Sequence, residues 1–166
     1  VYLNEYGLAF IDMMAAFNED SYDLPIGGTG FPVLIDVYPD TVFCSDFPWT
    51  YGYLVCEDDN CNYDTCEFTI TIYDTLRPHL GCVDIVAGIG PYGTYEIQAD
   101  EIAIGAVDNC RDLEMEVFPP VLYCEDVGIP TQVTVVATDI AGNQNECTVT
   151  VTVVDTLPLQ LECPYL

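Results

Sequence analysis

The sequence predicts an all-β protein of two tandem β-sandwich domains that are stapled by disulfides. Its apolar runs are rich in Val, Ile, Tyr, Phe and Thr and are interrupted by 11 Pro and 12 Gly, which is typical of short strands and turns. Nine cysteines indicate an oxidising compartment, and no C-x-x-C pair suggests zinc or redox chemistry. The third observation is an internal repeat.

The repeat is clearest at the end of each half. Residues 66–76, Cys-Glu-Phe-Thr-Ile-Thr-Ile-Tyr-Asp-Thr-Leu, recur as residues 147–157, Cys-Thr-Val-Thr-Val-Thr-Val-Val-Asp-Thr-Leu, at an offset of 81. Cys82 and Cys163 keep this offset. A repeat of this kind is a tandem structural unit. We therefore predict domains at residues 1–79 and 80–157, followed by a strand at 158–166.

Each repeat reads as short strands. In the second, residues 95–99, 113–118, 132–137 and 148–154 alternate or run apolar, and residues 139–143 form a tight turn. Several strands at this spacing are typical of an immunoglobulin-like sandwich. We expect no helix beyond a turn or two around residues 11–18 or 100–105.

The opening strand of the first domain is missing from its expected place. Residues 161–166 repeat the segment that opens the second domain, and Val1 aligns just after that segment. We expect Leu159, Leu161 and Leu166 to complete the first domain of the next unit, either in trans by strand complementation or in cis through a longer tandem chain. Such a head-to-tail contact generates an open filament of copies of the chain.

The charge is strongly one-sided. The chain has 28 acidic and 2 basic residues, a net charge of −26, which excludes nucleic acid as a partner because phosphate would be repelled. No signal peptide and no run of 18 apolar residues is present, so we expect a mature or excised segment without a membrane span. We expect a secreted protein, extracellular or at the cell surface.

Acidic turns are the candidate ligand sites, and calcium is the one candidate cofactor. Hard oxygen ligands cluster in two turns and at the two domain junctions, namely Asp58, Asp59, Asp139, Asn143, Asp74 and Asp155. The alternative is a solvated turn, because Asp and Asn are also common turn formers.

No catalytic constellation is present, so we expect no enzyme. His79 stands without a nucleophile motif. The aromatic run Phe47-Pro-Trp-Thr-Tyr-Gly-Tyr53 could line a sugar-binding face, which would make surface glycans partners. We favour a core or subunit contact, because alternation at residues 49, 51 and 53 fits one side of a strand and a Trp buried between sheets is routine in such folds.

The second domain resembles the hyalin-repeat family. The resemblance rests on Val107-Asp-Asn-Cys110 and on residues 135–147 and 148–155. A further segment, Cys124-Glu-Asp-Val-Gly128, is similar to the variant of this repeat in surface adhesins of gliding Bacteroidetes. It implies an extracellular, non-enzymatic, immunoglobulin-like module used in tandem for adhesion. It also implies two disulfides, Cys110 with Cys147 and Cys82 with Cys124.

The first domain departs from that family pattern. Cys66 matches Cys147 but has no Asp-Asn-Cys partner, so we expect it to bond Cys56 across a hairpin and leave Cys61 as the odd thiol; Cys56 with Cys61 is the alternative. If Cys82 bonds Cys124, then Cys163 should bond Cys44 of the next unit.

Three Asp-Thr-aliphatic segments resemble the O-glycosylation motif of Bacteroidetes secreted proteins. The acceptors would be Thr41, Thr75 and Thr156. The alternative is that Asp-Thr simply ends a strand.

These observations favour a structural subunit or repeat unit of an extracellular filament or adhesin stalk. The alternative is a calcium-dependent or carbohydrate-binding adhesion module.

Overall fold

Two β-rich units make up the chain. The computed structural model describes residues 1–12, 33–57 and 61–158, and it divides into unit 1, Val1–Leu76, and unit 2, Arg77–Leu166. The prediction of an all-β tandem of disulfide-stapled sandwiches is confirmed. Within the described ranges, no helix is long and apolar enough to cross a membrane.

Unit 1 contains five described strands. Two sheets are formed, one in the order β2-β4-β5 and the other from the pair β1 and β3, all antiparallel. A 3-10 turn, Cys44–Asp46, follows β3. The strands are β1 (Leu8–Phe10), β2 (Val33–Tyr38), β3 (Thr41–Phe43), β4 (Trp49–Glu57) and β5 (Tyr63–Thr71).

The described part of unit 2, residues 77–158, contains eight strands and one short α-helix. The strands are β6 (His79–Cys82), β7 (Ile85–Gly88), β8 (Thr94–Glu96), β9 (Ala103–Val107), β10 (Leu113–Phe118), β11 (Val121–Tyr123), β12 (Thr131–Asp139) and β13 (Gln144–Val154). The helix α1 (Ala99–Ile102) overlaps one of the two predicted helical segments. Residues 13–18 of the other lie outside the described residues.

The strands of unit 2 form a sandwich. One sheet has the order β10-β12-β13-β7, with β7 parallel to β13 and the other pairs antiparallel. The pairs β6–β9 and β8–β11 cover its inner face. Alternate residues of β12 and β13 point inward, so Val133, Val135, Val151 and Val153 are fully buried against Ile102.

The described strands of unit 1 repeat part of this plan. Leu3 N donates to Tyr73 O at 2.9 Å, and at the equivalent place in unit 2 Ile89 N donates to Val154 O at 2.9 Å. Gly7 and Gly93 have positive φ values of 71° and 73° at matching turns, where a side chain would be strained. The two units are therefore versions of one fold.

The disulfide of unit 2 differs from the pairs that the family resemblance implies. The structure bonds Cys82 to Cys147, which joins β6 to β13 across 65 residues. The implied pairs Cys82 with Cys124 and Cys110 with Cys147 are therefore wrong. Cys82 and Cys124 lie at different places in unit 2. The Sγ atom of Cys124 lies 3.6 Å from Gly93 O, just before β8. Cys82 instead pairs with Ala103 at the start of β9, which follows α1.

Candidate functional site: the open edge of unit 1

A groove of about 340 Å³ lies beside β5 in unit 1. Its lining is mostly apolar and includes Phe10, Ile11, Phe68, Ile70, Thr71 and Tyr73. Ile70 belongs to the core of unit 1 and is 4% exposed, whereas Phe10 is 74% exposed. The groove therefore runs from the core to the surface.

The groove occupies the place that β7 fills in unit 2. There, Ile85 and Val86 pair with Val151 and Thr152 of β13. The offset of 81 carries Val151 and Thr152 onto Ile70 and Thr71 of β5. In the described part of unit 1, no strand pairs with Ile70 or Thr71 on this side.

Val1 and Tyr2 lie at the mouth of the groove. Val1 and Tyr2 correspond to the last two residues of β7: the Val1 amino group donates to Thr71 O at 2.6 Å, and Tyr2 forms a parallel bridge with Tyr73. A strand in the position that Ile85 and Val86 occupy in unit 2 would lie in the groove, beside Ile70 and Thr71. An unpaired strand edge beside apolar side chains is the arrangement that β-strand addition uses.

Side chains that unit 2 covers are uncovered here. Ile97 is 4% exposed in unit 2, but its counterpart Ile11 is half-buried. Val149 is 4% exposed, and its counterpart Phe68 is half-buried. Unit 1 thus lacks part of the cover of its core at this edge, among the residues described.

Two thiols lie near the far end of β5. Cys66 pairs with Leu54 and Cys56 with Asp64, so the two cysteines are diagonal neighbours on β4 and β5. Both are free thiols, so the structure contains neither the predicted Cys56–Cys66 bond nor the alternative Cys56–Cys61 bond. Burial raises the pKa of the Cys56 thiol, and the nearby Cys66 and Asp64 add to this.

The other predicted disulfide residues have mixed outcomes. Cys44 and Cys110 are each disulfide-bonded, and Cys124 is a free, exposed thiol. Cys44 therefore offers no thiol to a neighbouring copy, which argues against the predicted Cys163–Cys44 bond. Cys163, Leu159, Leu161 and Leu166 lie outside the described residues.

The acidic side chains of these turns accept local hydrogen bonds. Asp74 Oδ1 accepts from Leu76 N at 3.1 Å, and Asp155 Oδ1 accepts from Leu157 N at 2.9 Å, so both end a strand in the same way. Asp139 is 6% exposed and accepts from both Asn143 N and Asn143 Nδ2 at 2.8 Å. Asp58 and Asp59 lie outside the described residues. Calcium binding stays a prediction.

Asp139→Asn separates the two interpretations of this turn. The amide keeps the acceptor for Asn143 N but turns a donor toward Asn143 Nδ2, so we expect a loss of about 1.5 kcal/mol in the free energy of unfolding. The loss should be equal in EDTA and in calcium chloride, as measured by urea unfolding. A loss confined to the calcium sample would make Asp139 a calcium ligand instead. Asp155→Asn, at an exposed turn, is the matched control.

The aromatic run lies on the outer face of β4. Trp49, Tyr51 and Tyr53 are 53%, 52% and 44% exposed, and the rings of Trp49 and Tyr51 make an edge-to-face contact at 5.3 Å. Of the predicted core or subunit contact, the core position is therefore wrong for these three side chains, and the subunit contact stays a prediction. Alternation alone could not decide this, because either face of a strand has period two.

The predicted glycosylation threonines differ in access. Thr75 and Thr156 are exposed, whereas Thr41 is half-buried on β3. O-glycosylation stays a prediction at all three positions.

Comparisons with known proteins give distant structural matches alone. No protein-family model matches the chain, and no curated protein matches it. The hyalin-repeat resemblance stays an expectation.

Among solved structures, human protocadherin-24 EC1-2 has a TM-score of 0.34 at 13% identity, covering 95% of this chain and 94% of that one. Protocadherin gamma B2 extracellular cadherin domains 1–5 and PcdhgB3 EC1-4 each have a TM-score of 0.34, at 11% and 9% identity. This chain spans 37% and 40% of their lengths. The fold assignment rests on the strand topology given above.

Proposed function

We propose that the chain is a structural repeat unit of an extracellular filament or adhesin stalk, and that its copies associate head to tail. One observation carries the proposal: among the described residues of unit 1, no strand pairs with β5 at the place where β7 pairs with β13 in unit 2. The oxidising compartment is supported by the nine cysteines and by the Cys82–Cys147 bond.

The sequence contains a segment that suits the groove. Residues 161–166 repeat residues 80–85 at the offset of 81, so Leu161 corresponds to Leu80 and Leu166 to Ile85. In unit 2, Leu80 is part of the buried core and Ile85 packs against it. Leu166 therefore matches the residue that begins β7 beside Val151, and Leu161 matches a core residue of β6, the strand before it.

Two arrangements satisfy this complementarity. The segment is donated by a second copy, or it precedes unit 1 in a longer tandem chain. Both produce a linear array, because the donating segment and the accepting groove are different surfaces and the contact does not close on itself.

Truncation of residues 159–166 tests association in trans. We expect the full chain to form oligomers whose size grows with concentration in sedimentation velocity, and the truncated chain to lose them. Leu161→Asp/Leu166→Asp is the full-length counterpart, because carboxylates cannot enter an apolar groove without a large desolvation cost.

A synthetic peptide of residues 159–166, with serine in place of Cys163, provides the complementary experiment. It should raise the melting temperature of the truncated chain, because a ligand that binds only the folded state stabilises it. The same peptide with aspartate at both leucine positions is the control. A full chain that stays monomeric at every concentration, with no stabilisation by peptide, would leave the proposal without support.

A second candidate function is favoured by the aromatic face of β4. In unit 1, Trp49, Tyr51 and Tyr53 are exposed, whereas the offset of 81 places Pro130, Gln132 and Thr134 there in unit 2. Flat exposed aromatic rings suit stacking against a sugar, so unit 1 could bind surface glycans. Binding on a glycan array that is lost in Trp49→Ala would support this function.

A further inference from the structure

We infer that, in the head-to-tail contact proposed above, Cys163 of one copy forms a disulfide with Cys66 of the next. The inference rests on the proposed function and names the covalent bond that closes its contact. It replaces the predicted bond between Cys163 and Cys44.

The disulfide of unit 2 joins its opening strand to its last strand. There the cysteine of the opening strand, Cys82 on β6, bonds the cysteine of the last strand, Cys147 on β13, with their Cα atoms 6.1 Å apart. The offset of 81 relates Cys82 to Cys163 and Cys66 to Cys147. The repeat therefore assigns Cys163 and Cys66 to the same two positions of the fold.

Cys66 lies at the same position in its sheet as Cys147 in the sheet of unit 2. Cys147 pairs with Val135 of β12, and Cys66 pairs with Leu54 of β4, which the same offset relates to Val135. Cys66 thus occupies the same rung of the ladder as Cys147. It also lies on the inward side of β5, at even spacing from Phe68 and Ile70 of the groove.

The thiol of Cys66 is exposed and can form a disulfide. It is a free thiol and is exposed, whereas Cys147, which bonds Cys82, is half-buried. A donated segment that seats Leu166 in the groove, at the position of Ile85 on β7, brings Cys163 to the position of Cys82 on β6, three residues before it. The occupant that we propose is therefore residues 159–166 of a second copy.

Cys44 does not have this position. It corresponds to Cys124, its Sγ atom lies 3.4 Å from Gly7 O at the turn before β1, and it is already disulfide-bonded. Because Cys82 does not bond Cys124 in unit 2, the repeat gives no reason for Cys163 to bond Cys44.

The bond forms by exchange with a small-molecule disulfide such as oxidised glutathione. The Cys66 thiolate attacks it, forms a mixed disulfide and releases one glutathione thiolate; Cys163 then attacks the Cys66 sulfur and releases the second. In the net reaction the S–S bond of oxidised glutathione is replaced by the S–S bond between Cys66 and Cys163. The two protons lost by the cysteines are taken up by the two glutathione thiolates.

The test mixes equal amounts of unlabelled and ¹⁵N-labelled full chains under oxidised glutathione. We expect a ladder on a non-reducing gel, and a peptide pair that joins Cys163 to Cys66 and contains mixed-label forms. Cys66→Ser and Cys163→Ser should each abolish the ladder, whereas Cys56→Ser should keep it. The mixed label distinguishes a bond between copies from one within a chain.

Three outcomes would overturn the inference while the proposed function stands, provided that sedimentation still shows oligomers. These are Cys163 mapped to another cysteine, Cys66 mapped to Cys56, and a Cys163–Cys66 pair without mixed label. A ladder that survives in Cys66→Ser would overturn it equally. Absence of oligomers both in the oxidised full chain and in Cys66→Ser would reject the head-to-tail association of copies in the proposed function.

Discussion

Replacing Cys82 and Cys147 together by alanine is expected to lower the free energy of unfolding of unit 2 by about 4 kcal/mol. The bond closes a loop between residues 65 positions apart, and its loss returns that conformational freedom to the unfolded chain. Hydrogen exchange measured by mass spectrometry on peptides from β12 and β13 reports on unit 2 separately from unit 1.

The matched control is Cys56→Ala/Cys66→Ala, which removes two thiols that carry no bond in the structure. It should change the exchange of β12 and β13 little. Cys124→Ala distinguishes the two pairings. It should keep wild-type exchange if Cys82 bonds Cys147, whereas a loss of stability in Cys124→Ala would support the Cys82–Cys124 bond that the family resemblance implies.

Gly52→Val is expected to destabilise unit 1 by about 3 kcal/mol, at the upper end of the usual cost of overpacking. Gly52 lies opposite Phe68, and a Cβ atom at Gly52 would come within 2.7 Å of Phe68 Cζ and 2.9 Å of Ile70 Cδ1. The ring of Phe68 therefore fills the space that a side chain at position 52 would need.

A second substitution should restore the stability lost by Gly52→Val, because unit 2 has a different pair of residues at the equivalent cross-strand position. There Val133 pairs with Val149, so Gly52→Val/Phe68→Val recreates the pair of unit 2 in unit 1. We expect the double variant to recover most of the stability lost by Gly52→Val, with the fluorescence of Trp49 during urea unfolding as the readout, since it is the one Trp of the chain. Purely additive losses in the double variant would show that the two positions do not compensate.

The repeat predicted the two units because each strand carries its own apolar alternation. Residues 148–154 alternate Thr and Val in the sequence, and β13 buries Val149, Val151 and Val153 against the facing strands. The match of residues 66–76 to 147–157 then required unit 1 to place β5 as unit 2 places β13. These are local patterns, and they need no knowledge of what lies across the sheet.

The alternation of the aromatic residues did not predict which face of β4 meets the core. Residues 49, 51 and 53 alternate as strictly as residues 149, 151 and 153, yet the former point outward and the latter inward. Period two tells which residues share a face, but the face that meets the core depends on Gly52 and Leu54, which are the buried residues of β4.

By itself the sequence determined the fold class, the two repeats and the matching of the segment 161–166 to residues 80–85, since all of these depend on residue identity along the chain. The bond between Cys82 and Cys147 and the groove beside Ile70 are features of the three-dimensional fold. A disulfide and a groove depend on which atoms meet across strands far apart in the chain, and spacing along the sequence does not specify this.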